Sequence, residues 1–185
     1  MEAISIIIIV TLIVVIVYST KIYNNLVSLK HAVSKAWVNI ETALKERHDQ
    51  LPKLIELCKE YGVDKSDTFE TILKARTQIM NAQQMGEVQS LANAEQKLQV
   101  ETAALLDTAN ENTELSADEN FQALSKQLRN TELAILDRSD VYNECVTASN
   151  KRIEQFPHSF IASFFSFAKY EALELSDESR LSADS

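Results

Sequence analysis

Glycine, proline, cysteine and histidine are all scarce in this 185-residue chain. It contains two glycines, two prolines, two cysteines and three histidines. Loops that cradle phosphate groups need several glycines, so a nucleotide site of that kind is excluded. Cys58 and Cys145 lie too far apart for a zinc signature and are typical of buried thiols rather than of a secreted disulfide framework. The scarcity of glycine and proline also leaves little to interrupt helices.

Recognisable catalytic patterns are absent from the sequence as well. His31, His48 and His158 are scattered without the spacing of metal ligands, and no Glu-x-x-His pair of a di-metal helical bundle occurs. No Gly-x-Ser-x-Gly turn is present. We therefore expect no catalytic residue, no metal and no cofactor, and we place His48 on the bundle surface or at the end of an apolar stripe. The net charge of -9 disfavours binding to nucleic acid, and also binding to anionic lipid over a broad face.

A long hydrophobic run opens the chain. No charged residue lies between Glu2 and Lys21, and residues 3–17 are almost wholly isoleucine, valine and leucine. As a helix, residues 3–19 would extend about 25 Å, close to the roughly 30 Å hydrocarbon layer of a bilayer. The alternative is a cleaved signal peptide, but the start Met-Glu lacks the positive charge that such peptides carry. We expect residues 1–20 to be a retained, single-pass membrane anchor.

Basic residues give the expected orientation of the anchor. Lys21, Lys30 and Lys35 follow the hydrophobic run, whereas the short N-terminal side offers only the α-amino group. This asymmetry predicts an N-terminus outside the cell and a body in the cytoplasm. Residues 21–174 contain no linker-like stretch and are expected to form one domain, followed by a disordered acidic tail over residues 175–185.

Apolar residues recur at steps of three and four residues along the body, as on one face of a helix. The first such helix continues from the anchor, with Pro52 able to bend it, and ends at Gly62. A second helix begins at Ser66 or Asp67, where Glu70 could complete a capping box, and ends in the polar run of residues 110–114. We interpret Gly86 as a local break inside it.

A third long helix is expected from Ser116 or Asp118 to Phe156, where Pro157 stops it. The predicted fold is all-α: a transmembrane helix, then an antiparallel up-and-down bundle of three long helices and one shorter helix, similar to a four-helix bundle. After Pro157, residues 160–167 hold four of the seven phenylalanines. They could form an interfacial membrane helix. With three long helices, however, this segment would cap the bundle at the end far from the membrane.

Three charged residues fall on the apolar stripes and are candidates for buried ion pairs. Arg47 lies between Leu44 and Leu51, Arg76 between Ile72 and Ile79, and Glu132 between Leu128 and Ile135. The antiparallel packing could bring Glu132 to one or both arginines, in a layer that fixes the register of the helices. Alternatively, the three side chains reach into water from the edges of the stripes.

Several short motifs follow one another along the body. From the N-terminus they are Tyr23-Asn24-Asn25-Leu26, Ala36-Trp37, Lys45-Glu46-Arg47-His48-Asp49-Gln50-Leu51-Pro52, Ala75-Arg76, Asn120-Phe121-Gln122-Ala123-Leu124, Arg138, Tyr142-Asn143 and Phe156-Pro157. Taken in this order, they resemble the bacterial LemA family. The resemblance covers nearly the whole body. It implies a single N-terminal anchor in a bacterial inner membrane and a compact antiparallel bundle, and it implies no assigned biochemical function.

Three hypotheses about function follow. The first is a membrane-anchored, non-enzymatic adaptor or scaffold that binds other proteins. The second is an accessory or regulatory subunit of a membrane enzyme or protease, with one stoichiometric partner. The third is an enzyme that uses carboxylates on the bundle surface. The oligomeric state and the identity of the partner do not follow from the sequence.

Overall fold

The computed structural model describes residues 2–175, and these residues form helices joined by short connections. The all-α helical bundle predicted from the sequence is confirmed. The helices are α1 (Glu2–Glu60), α2 (Ser66–Met85), α3 (Val88–Glu111), α4 (Thr113–Ser116), α5 (Glu119–Glu154) and α6 (His158–Phe164). The expected tail lies outside the described residues, except for Leu175.

Helix α1 is 59 residues long and remains helical through Pro52. It ends as predicted at Gly62, whose φ of 72° is in the left-handed region that glycine adopts readily. The amide of Gly62 donates to the carbonyl of Lys59, and the amide of Val63 donates to the carbonyl of Cys58. These two bonds form the Schellman arrangement that terminates a helix.

The second predicted helix is two helices in the structure. Gly86 has a φ of 69°, and the amides of Gly86 and Glu87 donate to the carbonyls of Gln83 and Ala82, so α2 ends in the same way as α1. Helix α3 begins at Val88 and packs against α2. The predicted break at Gly86 is therefore present and forms the turn of a helical hairpin, whereas the prediction of one long second helix is wrong.

The predicted starts of the helices had mixed outcomes. The capping box of α2 does not form, because Ser66 donates to Asp64 and Glu70 instead pairs with Lys74, 2.5 Å away, one turn along the helix. At the start of α5, in contrast, a carboxylate oxygen of Asp118 accepts from the amide of Phe121 at 2.8 Å. Asp118 caps this helix as the sequence predicts.

The chain divides into two compact units. Among the described residues, the first comprises 2–36 and 142–172, and the second comprises 37–141 and 173–175. The second unit contains most of the predicted apolar stripes, and its most deeply buried side chains are Ile40, Leu44, Leu51, Leu54, Ile72, Ile79, Leu91, Leu98, Leu105, Leu115 and Phe121. The burial of these side chains confirms the stripes. Cys58 is buried and Cys145 half-buried, and neither forms a disulfide.

The first unit contains the apolar start of α1, together with α6. The large hydrophobic side chains from Ile4 to Tyr18 are each more than half exposed. Just beyond them, Ile22 and Leu26 form a small core with Ala162 of α6. The Phe165 ring lies 4.7 Å from the ring of Tyr23. The phenylalanine-rich segment therefore lies beside the end of the apolar run, and the expectation that it caps the far end of the bundle is wrong. The error follows from the expected three long helices, because the break at Gly86 adds a reversal that this expectation lacked.

A buried polar layer as the candidate functional site

The most unusual chemistry in the described chain is an ion pair inside the second unit. Arg47 of α1 contacts Glu95 of α3 through its guanidinium, and the two residues are only 5% and 3% exposed. Burial lowers the pKa of Arg47, and the nearby carboxylate of Glu132 opposes this effect. An arginine remains protonated at neutral pH even so, which means that the bundle holds a charge that it must compensate.

Glu132 of α5 is a second carboxylate beside this pair. Its partial burial raises its pKa, whereas the charges of Arg47 and Arg129 and a hydrogen bond from Gln99 lower it. The first effect is the largest, and the pKa lies above the ordinary value for glutamate. Helices α1, α3 and α5 therefore each supply one side chain to a cluster of alternating charge.

A second polar contact lies about one helical turn along α1 from Arg47. The side-chain amide of Gln50 donates to the hydroxyl of Thr131 on α5 at 3.2 Å, and that hydroxyl donates to the carbonyl of Gln127 at 2.9 Å. Both Gln50 and Thr131 are buried. Together with the charged cluster, these residues form what we call the polar layer: Arg47, Gln50, Glu95, Thr131 and Glu132.

His48 adjoins the layer from the other side of α1. It is 6% exposed, so its expected place on the surface is wrong. Burial lowers its pKa to about 4, and the positive charges of Arg47 and Arg76 contribute to this, against the charge of Asp49. The imidazole is therefore neutral at pH 7. A buried neutral histidine between two arginines makes this part of the bundle sensitive to acid.

The three sequence candidates for an ion-pair layer lie in different surroundings. The structure brings Arg47 and Glu132 close enough to shift each other's pKa. It places Arg76 half-buried on α2, where it faces His48. Within residues 2–175, Arg76 forms no ion pair with Glu132.

Sequence reasoning missed Glu95, the direct partner of Arg47. The signal was present, because Glu95 lies four residues after Leu91 and three before Leu98, both fully buried. The criterion that selected Arg47 between Leu44 and Leu51 selects Glu95 equally well.

An open cleft of about 310 Å³ borders the polar layer. Arg47, Gln99, Thr102, Asp107, Arg129 and Glu132 are among the residues that line it. The hydroxyl of Thr102 has no hydrogen-bond partner among the described residues, and the same is true of the Nε of Arg47. Buried polar atoms of this kind are normally satisfied by water or by a polar ligand. The cleft therefore offers hydrogen bonds and charges of both signs.

The cleft has limited means for chemistry. No cluster of three histidine, cysteine, aspartate or glutamate side chains suited to a metal ion occurs in residues 2–175. Burial raises the pKa of the Cys58 thiol to about 11, so this cysteine is protonated at neutral pH and is a poor nucleophile. The group in the cleft that is best suited to proton transfer is the carboxylate of Glu132, whose pKa is raised and which lies near Arg47 and Arg129.

Comparison with protein-family models identifies the family. The model of the LemA family matches residues 36–184, which include the whole polar layer and all helices after α1. No curated protein matches the chain. The apolar start of α1 precedes the matched residues. By length and composition alone, α1 is apolar enough near the N-terminus to cross a membrane, and its most apolar window has no buried residue.

Proposed function

Because the chain belongs to the LemA family, we propose that it is a membrane-anchored, non-enzymatic helical bundle that binds other proteins as an adaptor or scaffold. Residues 3–19 span the bacterial inner membrane, with the N-terminus outside and the bundle in the cytoplasm. The observation that carries this proposal is that α1 starts with aliphatic side chains more than half exposed and continues into the core of a helical bundle.

The exposed aliphatic residues support the anchor. A soluble protein gains about 25 cal/mol for each Å² of apolar surface that it removes from water, and this segment buries none of its own. A bilayer is the solvent that suits a helix of this length without charge from Ala3 to Thr20. The three lysines at positions 21, 30 and 35 support the cytoplasmic side for the body.

The interior of the bundle supports a structural role for the polar layer. The carboxylate of Glu95 directly neutralises the charge of Arg47, so these two buried charges pair with each other. A buried ion pair of this kind contributes little net stability but disfavours alternative registers of the helices. The charged outer faces of the helices then remain for partner proteins.

The raised pKa of Glu132 favours a second candidate, a small-molecule activity in the cleft, because perturbed carboxylates occur often at functional sites. Glu132→Gln separates the two candidates. This substitution removes the titrating group and keeps the size of the side chain. If the chain is an adaptor, the variant should still bind its partner proteins; if it is an acid-base enzyme, the variant should lose its activity.

The test of the adaptor is crosslinking in intact cells, followed by capture of the full-length chain through a C-terminal tag. Several substoichiometric cytoplasmic proteins support the scaffold. A single stoichiometric membrane partner supports an accessory subunit instead, and capture of a bound small molecule without protein overturns both. Cells that express a tagged, unrelated single-pass protein supply the background.

The side of the membrane has its own test. Asn93 is exposed on α3, so Asn93→Cys in a Cys145→Ala background offers one accessible thiol. Cys58 is 0% exposed and does not interfere. A maleimide that cannot cross membranes should label this cysteine only after the cells are opened. Labelling in intact cells would place the body outside the cytoplasm.

A further inference from the structure

Four phenylalanines near the end of the chain form what we call the aromatic surface. Phe156, Phe160, Phe164 and Phe165 are 88%, 71%, 74% and 51% exposed. Among residues 2–175 these are all the phenylalanines that are more than half exposed, since Phe69 and Phe121 are buried and Phe167 is partly buried. Exposed apolar groups that lie together mark a surface with an interaction partner.

Packing against α1 fixes the place of the aromatic surface. Ala162 is 1% exposed and belongs to the small core with Ile22 and Leu26, so one side of α6 lies on α1. The ring of Phe165 contacts that of Tyr23, and the ring of Phe164 lies 5.0 Å from that of Phe165. The surface is therefore beside the first turns of α1 that follow the exposed aliphatic residues.

The length of the apolar part of α1 determines how deep in the bilayer the contact between Tyr23 and Phe165 lies. A hydrocarbon layer of about 30 Å corresponds to about 20 helical residues at 1.5 Å each. Residues 3–19 extend about 25 Å as a helix and almost cross that layer, and Tyr23 lies about one helical turn beyond them. Tyr23, and Phe165 against it, then lie at the boundary between acyl chains and headgroups, where aromatic side chains are enriched in membrane proteins.

The charges around the segment suit the same layer. No lysine, arginine, aspartate or glutamate occurs between Glu154 and Lys169. At the two ends of this stretch, Lys169 and Glu154 pair at 2.6 Å, so the flanking charges compensate each other. An open cleft of about 420 Å³ next to Tyr23 and Phe165 is also lined by Lys30 and His31, whose polar groups suit the headgroup side of the boundary.

We propose that the aromatic surface inserts into the interfacial layer of the membrane that holds the anchor, with lipid as its partner. This inference rests on the anchor of the proposed function and adds a second membrane contact to it. Phe160 and Phe164, one turn apart on the outer side of α6, are the inserted side chains, while Ile161 and Ala162 face α1. The chain then touches the bilayer through α6 as well as through the span.

Depth-dependent fluorescence quenching tests the insertion. The chain has one tryptophan, Trp37, so Trp37→Phe leaves a background free of tryptophan emission. Phe164→Trp and, separately, Phe160→Trp are then introduced into the full-length chain in vesicles of phosphatidylcholine with one quarter phosphatidylglycerol. Phosphatidylcholine brominated near the top of its acyl chains is the quencher. We expect it to reduce the emission of either probe to about half, because both probes lie in the interfacial layer.

Two matched probes make the result decisive. Tyr18→Trp reports on the anchor and should be quenched. Leu73→Trp is an exposed apolar position on α2 and should not be quenched.

A quenched Tyr18→Trp with unquenched Phe160→Trp and Phe164→Trp overturns the insertion and leaves the anchor intact. An unquenched Tyr18→Trp overturns the anchor and the insertion together. Blue-shifted emission from unquenched probes at positions 160 and 164 would overturn the lipid contact and show that protein covers the surface instead. Helical circular dichroism of every variant shows that it is folded.

Discussion

Arg47 and Glu95 neutralise each other inside the bundle, 48 residues apart in sequence and on two different helices. Breaking this pair by removing one partner leaves a buried charge without compensation. That cost is far larger than the net stabilisation that the intact pair provides.

Glu95→Ala should lower the free energy of unfolding by about 3 to 5 kcal/mol, because it strands the Arg47 guanidinium. The measurement is urea unfolding of the full-length chain in detergent micelles, followed by circular dichroism. Glu111→Ala, at an exposed position on the same helix, should change the value by no more than about 0.5 kcal/mol. Equal effects of the two substitutions would show that the Arg47 site is solvated.

Glu132→Gln should remove a pH dependence of stability. The folded state raises the pKa of Glu132, so it binds a proton more tightly than the unfolded state does. This group therefore costs stability as pH rises from the ordinary glutamate value through the raised one. Unfolding measured from pH 4 to pH 8 should show a less negative slope for Glu132→Gln than for the unaltered chain. A steeper fall in the variant would mean that the arginines dominate.

His48 should make the bundle sensitive to acid in the opposite sense. Its pKa falls from 6.5 to about 4 on folding, so the unfolded state binds the proton more tightly in that window. Stability is fully present above pH 6.5 and declines as pH falls toward 4; between pH 7 and pH 5 the loss from this group is about 2 kcal/mol.

His48→Gln should abolish that part of the acid sensitivity, and the difference between the two unfolding curves at pH 5 and pH 7 measures it. His31→Gln, at an exposed position, is the matched control. If both variants keep the acid sensitivity of the unaltered chain, other groups are responsible.

Gly86→Ala should destabilise the bundle by about 1 to 2 kcal/mol, the cost of a left-handed conformation for a residue with a Cβ atom. The added methyl group meets no atom within 4 Å, so the cost is conformational rather than steric. Met85→Ala, at the exposed neighbouring position, should have little effect. The readout is the urea midpoint, and an unchanged midpoint for Gly86→Ala would show that the turn relaxes.

Cys58 should remain unreactive in the folded chain. It is fully buried, and its pKa is raised to about 11, so both access and the thiolate fraction are low. At pH 8 a thiol reagent should modify one cysteine per chain quickly, the half-buried Cys145, and the second only in urea. Cys145→Ala isolates the slow reaction. Rapid modification of Cys58 without urea would reveal local opening of α1.

The sequence was sufficient for the helices and their apolar faces, because side chains such as Ile40 and Leu98 follow the helical period. It was insufficient to predict the hairpin at Gly86. In a polar stretch, a glycine that only interrupts a helix and a glycine that ends one have the same sequence pattern. Only the packing of α2 on α3 distinguishes the two. The missed reversal at Gly86 also gave the wrong expected place for the aromatic surface, which depends on the number of reversals before it.

The contact between Tyr23 and Phe165 joins parts of the chain that leave the ribosome at very different times. At about 5 to 20 residues per second, the roughly 140 residues between them take about 7 to 28 s to synthesise. Until synthesis reaches Glu119, the apolar face of α1 has no partners from α5 or α6. Cotranslational insertion of the first residues would keep the nascent chain at the bilayer, where Phe165 arrives among the last residues to be placed.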